Sequence, residues 1–69
     1  MNRQRVQSST IVSAGYDPNT ETMEIAFKSG GMYQYAGVPL PIYRAFRQAV
    51  SQGIYFHGHI KGQFETTQL

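Results

Sequence analysis

The stretch "TMEIAFKSGGMYQYA", Thr22 to Ala36, constrains this chain more than any other part of it. Met23, Ile25 and Phe27 alternate with Glu24, Ala26 and Lys28, which marks a strand buried on one face. "SGG" then turns the chain, because glycine supplies the positive φ of a tight hairpin. "MYQYA" returns as a second strand. A hairpin alone is marginal in water, so something must cover its apolar face. With Ser29-Gly30-Gly31 as the loop, Lys28 faces Met32, Phe27 faces Tyr33 and Ile25 faces Tyr35. Both tyrosines then join the apolar face. With Gly30-Gly31 alone as the turn, Lys28 faces Tyr33 and the tyrosines join the polar face. The three-residue loop gives one consistent apolar face and is preferred.

The flanking sequence supplies the cover. The β-branched run "TIVSAGY" predicts a strand over about 9–16, and "DPNTE" turns it back toward the hairpin. The hairpin strands are expected over about 22–28 and 32–36. "GVPLP" closes the sheet, and Pro41 suits the first turn of a helix. Ile42, Ala45, Phe46 and Ala49 form one stripe on a helix predicted over about 41–51, which Tyr43 and Val50 widen. Gly53 is its expected C-cap. A short helix or turn is expected over about 54–61. Residues 1–8 are polar and aperiodic and read as a flexible arm, and residues 65–69 read as a frayed end. The expected fold is α+β: a three-stranded antiparallel meander with one helix on its apolar face, in a single domain over 9–64. Tyr33 and Tyr35 then lie beneath the helix that carries Ile42 and Phe46.

Composition narrows the function. A chain of 69 residues has a thin core, and with no cysteine it has neither disulfides nor thiolate metal sites. His57 and His59 are two ligands short of a closed zinc site, and they share a face only if their segment is extended. No cofactor is expected. Net charge is +2, with a pI near 9.2, which permits an acidic partner without demanding one. No apolar run follows the basic start, so no membrane segment is expected and a cytoplasmic location is.

Beyond these features, the order Ser8-Ser9, Gly15-Tyr16-Asp17, Gly30, Tyr33-x-Tyr35, Val38-Pro39, Tyr43, Ser51-x-Gly53-x-Tyr55-Phe56 and Ile60 resembles the KTSC domain. That family is named for the C-terminal extension of some lysyl-tRNA synthetases, and it also occurs as small stand-alone bacterial and phage proteins. The resemblance runs from about Val6 to Phe64. It implies a binding domain of unestablished function, with RNA as the suggested ligand. The chain departs from the family pattern at His57, where asparagine is common, and at Phe64, where tyrosine is common.

The candidate site residues are Tyr33, Tyr35, Arg44, Arg47 and Lys61. Paired tyrosines on a sheet can stack against bases, or they can close a core with their hydroxyls at its rim. The register favours the core, so any work they do is expected through a rim hydroxyl. Arg44 and Arg47 are i, i+3 on the exposed helix face and, with Arg3, Arg5, Lys28 or Lys61 nearby, can contact phosphate. A solvated helix face has the same sequence. Ser51 lies near His57 and His59, but no nucleophile elbow surrounds it and no acid is placed to orient a histidine. It is expected to start the terminal turn through its hydroxyl. An enzyme is not expected. The expected function is a small binding module, for tRNA-like or single-stranded RNA. The alternative is a protein-interaction module that docks another protein, or a second copy of itself, by a free sheet edge or the aromatic tail.

Overall fold

The computed structural model describes residues 3–69. Five strands form one antiparallel sheet in sequence order: β1 (Arg3–Arg5), β2 (Ile11–Asp17), β3 (Thr22–Phe27), β4 (Met32–Ala36) and β5 (Glu65–Gln68). Helices α1 (Leu40–Gln48) and α2 (Gln52–His59) lie between β4 and β5 in the chain. The expected three-stranded meander is therefore the centre of a wider sheet. Arg3–Arg5, read from sequence as part of a flexible arm, pairs with β2 through Arg3↔Gly15 and Arg5↔Ser13. Glu65–Gln68, read as frayed, pairs with β4 through Tyr35↔Thr66 and Tyr33↔Gln68. Both outer strands are exposed along their whole length, so their sequences carry no apolar alternation to announce them. Met1 and Asn2 of the expected arm lie outside the described residues.

The central hairpin has the predicted loop type at a shifted position. Phe27 N–H donates to the Gly31 carbonyl at 2.8 Å, and Gly30 N–H donates to the Phe27 carbonyl at 2.9 Å. The loop is thus Lys28-Ser29-Gly30, one residue earlier than expected. Gly30 takes the bulge position with φ +107, which a side chain would strain. Moving a loop by one residue moves the register by two. Ile25 faces Tyr33 and Met23 faces Tyr35, where Phe27↔Tyr33 and Ile25↔Tyr35 were expected. Because the side-chain period is also two, both tyrosines keep the apolar face.

A bulge on β2 solves a problem the sequence poses. Ile11 and Ala14 differ in parity, so a regular strand cannot bury both. The register shifts between Ile11 and Ser13, and Val12 is left exposed. Ile11 and Ala14 both reach the core, at 0% exposure. The core also contains Val6, Met23, Ile25, Tyr35, Val38, Phe46, Phe56 and Ile60.

Two helices cover the apolar face: α1, and α2 as a full helix where a short helix or turn was expected over about 54–61. Helix α1 begins after Pro39, whose carbonyl accepts from Ile42 N–H and Tyr43 N–H. It buries Phe46 and lays Tyr43 flat on Tyr16, ring centroids 4.6 Å apart. It stops at Gln48, short of the expected end. Ala49 has ψ 141, and Val50 is fully exposed instead of widening the stripe. Ser51 starts a new helix there: its hydroxyl accepts from Ile54 N–H at 3.3 Å. Gly53 is therefore inside α2, not a C-cap of α1. A side chain there would stand 3.0 Å from Ser8 Oγ and 3.3 Å from Thr10 Oγ1, so glycine lets α2 close on the loop before β2. Among the described residues, no helix is long and apolar enough to cross a membrane.

Candidate binding cleft

Four aromatic rings form a continuous edge-to-face set between α2 and strands β3 and β4. Phe56 of α2 meets Phe27 at 5.5 Å and Tyr35 at 5.4 Å, and Phe27 meets Tyr33 at 5.6 Å. The helix above the tyrosine strand is thus α2, not the helix carrying Ile42 and Phe46. This floor lies under an open cleft of about 690 Å³. Its rim comes from three segments: Ser9 and Thr10 before β2, Lys28 and Ser29 in the hairpin loop, and His57, Lys61 and Gly62 at the end of α2. Thr66 of β5 closes the remaining side.

The two tyrosines play different parts. Tyr35 is 4% exposed and belongs to the core. Burial, and then the neighbouring Tyr33, push its hydroxyl pKa up to about 12. Tyr33 is half-buried. Its ring lies across Gly31, where a side chain would stand 2.8 Å from the ring carbon Cε1. Gly31 therefore gives Tyr33 its seat. Tyr16, beyond the cleft, donates from its hydroxyl to the Val38 carbonyl at 2.6 Å. Burial, and then Glu21 and Asp17, raise its pKa above the ordinary value.

Charge separates across the molecule. The cleft is lined by Lys28, Lys61 and His57, and by none of Asp17, Glu21, Glu24 or Glu65. Arg3 pairs with Glu24 at 3.3 Å, and Gln34 donates to the same carboxylate at 3.1 Å. Of the five residues singled out from sequence, Tyr33, Tyr35 and Lys61 come together here. Arg44 is exposed on α1, outside the cleft, and Arg47 donates from Nη2 to Gln4 Oε1 on β1. His57 and His59 diverge on α2: His57 joins the rim while His59 stacks on Tyr55 at 4.3 Å. Ser51 caps α2 and is not among the cleft residues. Thr66 was missed in the sequence because its segment read as frayed. The β-branched pair Thr66-Thr67 is the signal that a strand was there.

This fold matches a known family. The KTSC domain model matches residues 7–64, and the chain belongs to that family. It is 43% identical over 63 residues to a lysine–tRNA ligase of Nostoc sp., covering 91% of this chain but 11% of that protein. The chain therefore spans about a ninth of the length of that relative. It is 40% identical over 63 residues to an uncharacterized protein of Stutzerimonas stutzeri, covering 91% of this chain and 89% of the other. The crystal structure of a KTSC domain protein from Yersinia pestis superposes with a TM-score of 0.96 at 47% identity, over 99% of this chain and 96% of that one. The same domain thus occurs as a small protein and as a minor part of a large one.

Proposed function

We propose that this domain is a small non-enzymatic binding module whose ligand is single-stranded RNA, held in the cleft over Tyr33. The observation that carries the proposal is the composition of that cleft: an aromatic floor, two lysines and a histidine on the rim, and no carboxylate. RNA offers both a ring to pack on aromatics and a phosphate to meet cations. In this reading Lys28 and Lys61 take phosphates and Tyr33 meets a base or ribose with its ring edge and hydroxyl. Tyr35 acts from beneath, holding Phe56. Ser9, Thr10, Ser29 and Thr66 also line the cleft, and in this reading the hydroxyls of Ser9 and Ser29 bond a ribose or base edge. Arg44 and Arg47 make no contact in it. The similarity to a region of a lysine–tRNA ligase supports an RNA ligand and adds tRNA to the ligands to test.

The test is a fluorescence titration with labelled hexauridylate and with tRNA, at low and moderate salt. Binding that weakens steeply with salt is expected. No binding of either at low salt overturns the proposal. It would leave the protein-interaction reading, for which the exposed outer strands β1 and β5 supply the free edges.

A further inference from the structure

A second hollow adjoins the cleft. It measures about 440 Å³ and is lined by Arg5 at the end of β1, the following Val6, Gln7 and Ser8, Val12 at the bulge, and Lys28. Lys28 lines both hollows. The two are held in place together, because Lys28 N–H donates to the Thr10 carbonyl at 2.8 Å and Ser8 Oγ accepts from Thr10 N–H at 3.2 Å and from Ile11 N–H at 3.3 Å. The hairpin loop and the Ser8–Thr10 loop therefore form one ridge with a hollow on each side.

The charges fit one polyanion crossing that ridge. Arg5, Lys28 and Lys61 are three of the six lysines and arginines in the chain, and no carboxylate lines either hollow. Arg5 is exposed, and among the described residues it has no carboxylate within ion-pair distance, whereas Arg3, two residues away, is paired with Glu24. The second hollow has no aromatic ring in its lining, so it offers a phosphate contact without a stacking partner. We infer that the RNA strand runs from the aromatic cleft across Lys28 to Arg5, so that the ligand is a run of nucleotides and not a single one. This rests on the RNA reading of the cleft and extends it by one phosphate contact.

The experiment compares salt dependences. Each phosphate contact adds about 0.7 to the slope of log affinity against log salt for a single strand, so three contacts predict a slope of about −2 for hexauridylate. Arg5→Gln should reduce the slope's magnitude by about 0.7. Arg44→Gln makes the same change in net charge on α1, away from both hollows, and should leave the slope unaltered. Thermal melts of both variants check that they fold. If hexauridylate binds but Arg5→Gln keeps the full slope, or Arg44→Gln lowers it equally, the path to Arg5 is wrong and the cleft reading stands. If hexauridylate does not bind the unaltered protein, the path to Arg5 falls, and if tRNA does not bind either, the cleft reading falls with it.

Discussion

Tyr35 shows how one residue can carry fold and neighbourhood at once. Its ring is in the core and its hydroxyl pKa is raised to about 12 by burial. The folded state therefore keeps its proton where the unfolded state, near 10, has lost it. The stability this contributes is complete below pH 10 and is lost as pH rises from about 10 to about 12. In that window the slope is about 1.4 kcal/mol per pH unit from this group alone. Tyr35→Phe should flatten the alkaline limb of a pH–denaturation profile, and an unchanged limb would mean the hydroxyl is not buried as described. Gly31 has a separate role. Gly31→Ala should push the Tyr33 ring off its seat and weaken hexauridylate binding by about 1 kcal/mol, the lower end of what one aromatic contact to a base is worth.

At the scale of elements, α2 joins stability to site. Its N-terminus depends on the Ser51 hydroxyl, so Ser51→Ala should cost about 1 kcal/mol in chemical denaturation. Phe56 is the larger dependence, because it touches Phe27, Tyr35 and His57 together. Phe56→Ala should cost about 3–5 kcal/mol. A chain of 69 residues has only roughly 3–10 kcal/mol to lose, so thermal melts followed by circular dichroism should show this variant's midpoint far below that of the unaltered protein. The legibility of these elements follows their burial. Strand β3 alternates because one of its faces is in the core, and the hairpin parity could be read from it. Strands β1 and β5 are exposed and show no apolar alternation, and only the β-branched pair Thr66-Thr67 marks β5. The break at Ala49 was hidden because "AVS" continues an apolar stripe, while the Ser51 cap that ends it acts through one hydroxyl. Lys61 was readable as a cation, but its meeting with Lys28 and Thr66 needs α2 and β5 in place.

For the whole molecule, the sheet and helices divide the charges. Glu24 sits with Arg3 and Gln34, the side-chain contacts of Arg47 include Gln4, and Arg5, Lys28 and Lys61 surround the hollows on either side of the hairpin loop. Its relatives include a small protein covered to 89% of its length and a long one covered to 11%. In the proposed function, RNA sits between the hairpin loop and the end of α2. Amide-resonance mapping by NMR during a hexauridylate titration tests it most directly. Shifts should gather at Thr10, Lys28, Ser29, Tyr33, Lys61, Gly62 and Thr66. Shifts confined to α1 or to the outer edge of the sheet, or no shifts at all, would contradict it.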